Sequence, residues 1–228
     1  MPLQYDPEKA MKFVARRDPV LRRLIKAVGS LDIPARPGSF KSLSRAIFFQ
    51  QLAGPAARAI MGRVLAALET DEERWYAPSR FLVASDEELR AAGLSRQKIV
   101  YLRDLAEKFD TGYMSENDFH HLDDDAVIEK VSEVKGIGRW TGEMFLMFTL
   151  GRPDVLPVDD LGVRKGMQIA YGLDESPKPD KMREIGEPWR PYRSVGTWYM
   201  WRALGVDVPE QGRGYKKPQV DEKDYELR

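Results

Sequence analysis

Cysteine is absent from the 228 residues, and histidine occurs only as the adjacent pair His120 and His121. The first absence excludes a disulfide framework, Cys-ligated zinc and an iron–sulfur cluster. The second makes a His-based catalytic triad hard to build. No run of about 18 apolar residues occurs, and the N-terminus Met1-Pro-Leu-Gln-Tyr-Asp-Pro-Glu-Lys-Ala10 lacks the charged and apolar regions of a signal peptide. Together these absences predict a soluble intracellular chain. An excess of one charge is missing too, since 36 basic residues balance 36 acidic ones. That speaks against a polybasic arm or an acidic tail as the main theme. What is present is 43% apolar and 10% aromatic residues, ample for a buried core.

The neutral balance is unevenly laid out. Residues 1–68 carry twelve basic and four acidic side chains, whereas residues 69–133 carry eight basic and seventeen acidic. A charge run can be a solvated helix face or the footprint of a polyanion partner, and composition leaves both open.

Periodicity is helical almost throughout. Ala56, Ile60, Val64 and Leu68 fall four apart and predict one apolar stripe. Ser85 with Glu88 matches a capping box, Gly93 stops that helix, and Ser95 caps the next, whose Ile99, Leu102, Leu105 and Phe109 keep helical spacing. Asp123 or Asp124 opens another helix. The most apolar one is expected over Trp140 to Leu150, and a further one over Leu161 to Tyr171. No alternating Val/Ile/Thr runs bounded by hairpin turns occur, so the fold is expected to be all-α, with about ten helices of ordinary length. The turn Ile33-Pro34-Ala35-Arg36-Pro37-Gly38 reads as a boundary. The expected organisation is an N-terminal helical piece (1–33) packing with a C-terminal part (151–206), a central bundle (34–150), and a loosely ordered charged tail (207–228).

The most informative segment is Val131-Ser-Glu-Val-Lys-Gly136-Ile-Gly138-Arg-Trp140-Thr141-Gly142-Glu143. Two glycines around one apolar residue let the backbone turn tightly between helices and expose amides at the start of the second helix, where a phosphate can sit. Such a helix-hairpin-helix grips a nucleic-acid backbone without reading bases. Gly-x-Gly alone is a weak signal. Here, however, the second glycine is followed 22 residues later by Asp160 within Leu156-Pro157-Val158-Asp159-Asp160-Leu161-Gly162-Val163-Arg164.

With these segments the sequence resembles the helix-hairpin-helix DNA glycosylase superfamily, and within it the alkyladenine branch (3-methyladenine DNA glycosylase II). The resemblance runs from about Leu43 to Leu204. It also includes Ile47-Phe-Phe-Gln50-Gln51-Leu52-Ala53, Gly93-Leu-Ser-Arg-Gln-Lys98-Ile-Val-Tyr101-Leu102 and Trp189-Arg-Pro-Tyr-Arg193-Ser194. It implies two helical subdomains with the active site in the cleft between them, in a compact form without the N-terminal β-rich domain of larger relatives. It further implies a monomer that acts on double-stranded DNA containing damaged bases, without a membrane or a cofactor. The compartment would be the cytoplasm of a bacterium or archaeon, or a eukaryotic nucleus.

By the same resemblance, Asp160 supplies the carboxylate that stabilises positive charge developing on the sugar. Asp159 is its rival, with helix capping as the plain role for a lone acid there. Trp140 and Trp201 are the candidates for stacking on the flipped base, followed by Tyr199 and Met144; relatives carry Tyr where Met144 stands. A cationic alkylated purine suits such aromatic faces. Gln51 or Leu52 would enter the gap left by the flipped base. Amides around Gly136, Gly138, Trp140 and Thr141 would hold phosphates, with Arg139 and Arg164 beside them. Lys98 and Tyr101 read as structural. The carbonyls around Val134 and Gly136 are where relatives bind a monovalent cation. Relatives that also nick the strand carry Lys where this chain has Trp140, so the expectation is a monofunctional enzyme that leaves an abasic site. The competing readings are a non-catalytic DNA-binding module, a glycosylase for hypoxanthine, uracil or an oxidised purine, and a helical scaffold for protein partners.

Overall fold

Among the described residues, seven helices begin on an Asp or Ser whose side chain accepts a backbone N–H of the first turn: Asp6, Asp18, Ser85, Ser95, Ser115, Asp123 and Asp160. Each cap satisfies at least one of the amides that a helix start leaves without an intrahelical partner. The computed structural model describes residues 3–33, 38–70 and 77–205, and among the described residues every regular element is helical. In chain order they are α1 (Pro7–Arg17), α2 (Pro19–Val28), α3 (Ser39–Phe49), α4 (Gly54–Ala67), α5 (Pro78–Val83), α6 (Asp86–Ala91), α7 (Arg96–Asp110), α8 (Glu116–His121), α9 (Asp124–Ser132), α10 (Arg139–Phe148), α11 (Leu161–Tyr171), α12 (Pro179–Gly186) and α13 (Arg193–Ala203), with a 3-10 turn at Glu187–Trp189. Among the described residues the number exceeds the expected ten; α5 and α8, six residues each, are too short to leave a periodic signature, whereas the equally short α6 is marked by its Ser85 cap. The residues after Gly205, and the prolines of the turn at 34–37, lie outside the described residues. No described helix is long and apolar enough to cross a membrane.

The chain divides into two units. Within the described residues the first joins 3–33 to 146–205, and the second covers 38–70 and 77–145.

In the first unit, Ala10, Val14, Leu21 and Leu24 of α1 and α2 share one core with Val163, Met167 and Ala170 of α11 and with the buried run of α13. Close approach of α11 and α13 requires glycine: a Cβ on Gly166 would lie 1.9 Å from the Met200 carbonyl oxygen. Trp189 is fully buried, which removes enough apolar area to contribute on the order of 4–6 kcal/mol. Its indole N–H donates to the buried Asp18 at 2.7 Å. Asp18 also accepts the Tyr171 hydroxyl and caps α2, so this interior carboxylate is fully engaged, as burial demands. Burial, and then the Asp18 charge, push the Tyr171 hydroxyl pKa upward.

The second unit is organised on α7, which packs against α3, α5 and α6. Phe81, Phe40, Phe109, Phe119 and Phe145 form a chain of tilted and edge-on rings with centroids 5.1 to 6.4 Å apart, the arrangement that ring quadrupoles favour. The expected stripe on α4 holds at its C-terminal end, where Val64 and Leu68 are buried, with Ile60 half-buried. Ala57, Met61, Val64 and Leu65 are buried, while Ala56 is exposed. Residues strictly four apart drift about 40° per step around a 3.6-residue helix, so a four-spaced series walks off any one face. The observed set instead mixes steps of three and four.

Candidate functional site

In the first unit the site is built around Asp160. Its backbone N–H donates to the Pro157 carbonyl at 3.1 Å, closing a tight turn, and its extended φ and ψ start α11. Its Oδ1 accepts the Val163 amide at 2.7 Å and the Trp201 indole N–H at 2.9 Å. The capping role assigned on sequence to Asp159 therefore falls on Asp160, and Asp159 is exposed. Asp160 itself is only 9% exposed. A carboxylate that accepts two N–H donors from rigid elements has a fixed direction, and the helix N-terminus adds a favourable dipole.

Trp201 is fixed as firmly. Its ring stacks on Phe148 with centroids 5.9 Å apart and an interplanar angle of 19°. Gly162 makes the approach possible, since a Cβ there would lie 2.9 Å from Trp201 Cδ1 and 3.1 Å from Asp160 Oδ1. The segment leading to Asp160 is fastened to α13, the helix that carries Trp201. Ser194 donates to the Arg152 carbonyl and accepts the Val155 amide, Thr197 donates to the Val155 carbonyl, and Arg193 binds both carboxylate oxygens of Asp154. Asp154, Ser194 and Thr197 were not legible as supports. A Ser or Thr inside a helix normally turns to its own helix, and nothing local distinguishes these two.

Tyr199 must be moved out of the pocket set. It is fully buried in the first unit, and its hydroxyl donates to the Gly29 carbonyl at 2.7 Å; burial raises its pKa to about 12. A ring with no exposed face cannot stack on a base, and its place on a helical aromatic spacing is that of a core residue. Arg164 turns a guanidinium nitrogen to the Val158 carbonyl at 3.5 Å, within the turn before Asp160. Leu161, in contrast, is 75% exposed beside the enclosed carboxylate, an apolar position that sequence reasoning passed over.

In the second unit the glycine hairpin connects α9 to α10. The Ile137 amide donates to the Val134 carbonyl at 3.0 Å and the Ile137 side chain is buried. Gly136 has φ +80° and lies flat against Tyr101, whose ring atoms would be 2.1 Å from a Cβ. Gly138 has open space around it, and its carbonyl accepts the Gly142 amide as the first bond of α10. Arg139 to Thr141 form the first turn of α10, and a helix start is where backbone amides can bind phosphate. Arg139 is exposed and pairs with Glu143 at 3.2 Å and Asp125 at 3.6 Å. Trp140 and Met144 are half-buried on α10, one turn apart.

The α3–α4 turn belongs to the same unit. Gln51 is exposed with φ +56°, and Leu52 is half-buried. The Gln50 side-chain amide donates to the Gly136 carbonyl at 2.7 Å. That carbonyl and Val134's each accept one N–H, and a carbonyl oxygen has two acceptor lone pairs. Among the described residues, no three His, Asp or Glu side chains gather into a metal-binding group. His120 and His121 are exposed at the end of α8, away from these features in the chain.

A family model described as "HhH-GPD superfamily base excision DNA repair protein" matches residues 44–191. Over 186 residues the chain is 33% identical to DNA-3-methyladenine glycosylase 1 of Schizosaccharomyces pombe, covering 79% of this chain and 80% of that one. Among solved structures, a DNA-3-methyladenine glycosidase from Bacillus halodurans superposes with a TM-score of 0.77 at 37% identity, covering 85% and 88% of the two chains. A 3-methyladenine DNA glycosylase of S. pombe in complex with abasic DNA gives a TM-score of 0.74 at 32% identity, covering 85% and 95%.

Proposed function

This chain belongs to the HhH-GPD superfamily of base excision DNA repair proteins, and we propose that it is a DNA glycosylase that hydrolyses the N-glycosyl bond of alkylated purines such as 3-methyladenine and 7-methylguanine. The observation that carries this reading is the Asp160 carboxylate, nearly enclosed and fixed by the Val163 and Trp201 N–H donors. Similarity to glycosylases named for 3-methyladenine supports the substrate class.

The target nucleotide leaves the stack, and the Gln51–Leu52 turn fills the space it vacates. Amides of Gly138 to Thr141 at the start of α10 hold the phosphates. As the bond between C1′ and the purine nitrogen breaks, both bonding electrons leave with the base. The sugar then carries positive charge, and a fixed anion stabilises it at no reorganisation cost. Ring alkylation makes the base cationic, which weakens the bond and favours contact with an aromatic face such as that of Trp201. A water oxygen adds to C1′ and loses a proton, leaving an abasic site. Strand cleavage through a Schiff base requires an amine on the reacting carbon; the family's position for that lysine is Trp140 here, which supports a monofunctional enzyme.

The test is a set of duplexes, each with one defined lesion: 3-methyladenine, 7-methylguanine, hypoxanthine, uracil or an oxidised purine. Free base is measured by chromatography, and strand integrity with and without alkali. Release of methylated purine with cutting only after alkali is expected. Strand cutting without alkali overturns the monofunctional reading, release of another base alone overturns the substrate class, and binding with no release from any duplex makes the protein a DNA-binding module.

A further inference from the structure

Helix α7 presents Lys98, Tyr101 and Asp104 at successive intervals of three, on one face over about 9 Å of helix. Each engages a different part of the proposed DNA-facing surface from behind. Lys98 Nζ donates to the carbonyl of Phe48 in the last turn of α3 at 2.6 Å and to that of its C-cap Gln50 at 2.9 Å, just before the Gln51–Leu52 turn. Tyr101 lies under Gly136, and its hydroxyl accepts from Gln97 at 2.5 Å. Asp104 accepts the Lys135 amide at 2.9 Å and the Lys108 ammonium at 3.0 Å. The Gln50 side chain then closes the circuit by donating to the Gly136 carbonyl at 2.7 Å.

This is more than the turn needs to exist. A half-buried lysine is a costly way to fill space, and burial lowers the Lys98 pKa. Two of its three donors nevertheless serve main-chain carbonyls about 50 residues away. The next residue, Gln51, holds a left-handed φ that a non-glycine rarely adopts and that persists only where surrounding bonds over-determine it.

We propose that Lys98, seconded by Tyr101 and Asp104, is a positioning residue that fixes the Gln51–Leu52 turn at one separation from the hairpin, so that gripping the DNA backbone and filling the vacated stack happen in register. The inference rests on the glycosylase reading above. It assigns Lys98 no contact with DNA. Its contribution lies in opening the stack and not in breaking the glycosyl bond, because it prepositions the turn that must enter.

Lys98→Met removes the donors at similar length, Lys98→Arg restores them, and Gln50→Leu cuts the link to Gly136 from the other side. Single-turnover base release is measured on two duplexes, one with the lesion paired and one with the lesion opposite an abasic analogue, where little pairing has to be broken. Opening of the stack is followed separately by fluorescence of a 2-aminopurine next to the lesion. We expect Lys98→Met and Gln50→Leu to slow release from the paired duplex about ten-fold or more and from the unpaired one less than three-fold, with stack opening slowed in parallel and Lys98→Arg recovering most of the loss. An equal loss on both duplexes, which a merely structural lysine would give, overturns the proposal, as does undiminished release from the paired one. If the wild-type protein releases no base at all, the glycosylase reading fails. The fluorescence arm then still decides the inference, since Lys98→Met opening the stack at the wild-type rate overturns it.

Discussion

Trp201 and Asp160 are joined by an N–H···O bond of 2.9 Å, although 41 residues separate them. The ring proposed as a surface for the base is thereby also the donor that aims the carboxylate. The two roles separate under substitution.

Asp160→Asn keeps an oxygen able to accept from both Val163 and Trp201, so the cap survives, and asparagine is as good a cap as aspartate. The melting temperature should change by only a few degrees. Loss of the anion should slow base release by about 100-fold or more, the scale seen when a fixed electrostatic partner of a transition state is removed. Single-turnover release from methylated duplex checks this, and near wild-type rates would remove Asp160 from the mechanism.

Trp201→Phe retains a ring able to stack on Phe148 and deletes the N–H. A hydrogen bond to a charged group contributes about 1.5–3 kcal/mol, so the rate constant for the chemical step should fall roughly 10-fold to 100-fold with KM little changed. A raised KM at constant kcat would instead make Trp201 a base platform with no part in orienting Asp160.

The two hairpin glycines should respond differently. Gly136→Ala meets both the left-handed φ and the Tyr101 ring, and should cost about 2–5 kcal/mol of stability. Gly138→Ala has free space and should cost less than about 1 kcal/mol, yet it sets a methyl group among the amides proposed to hold phosphate. Denaturant unfolding alongside duplex binding separates them: Gly138→Ala should fold normally and bind DNA more weakly.

Asp104 supplies a pH dependence with a definite sign. Burial disfavours its charge, but the Lys135 amide and then Lys108 outweigh that, leaving its pKa below the ordinary value. The stability it contributes is therefore complete above the unfolded carboxyl pKa, near about 4, and is lost as pH falls through the lower folded value. Asp104→Asn should lower the melting temperature at pH 7, and its gap from wild type should shrink as the pH drops below about 4. A gap that stays constant to pH 2.5 would mean that Asp104 contributes nothing as an anion.

The sequence by itself determined whatever is settled within about four residues. Capping by Ser85 and Ser95 needs only a hydroxyl and the amide three positions on, and the left-handed turn at Gly136 needs only the missing Cβ. Helix α11 is set by its opening Asp160 and closing Gly172, and its span over Leu161 to Tyr171 could be read directly. The hairpin was legible from its two glycines, and its link to Asp160, 22 residues on, through the resemblance to the glycosylase superfamily.

Tertiary structure alone decided which side chains meet. Nothing local separates Tyr199, closed into the core, from Trp201, half-exposed two residues later and bonded to Asp160. The buried face of α4 depended on which neighbours packed there: four-spaced counting found Val64 and Leu68 but not Ala57, Met61 and Leu65. Lys98 was legible as structural, but not as the residue that bonds the carbonyls ending α3. Capping and φ preferences act along the chain, whereas burial and long-range hydrogen bonds exist only once packing has brought distant segments together.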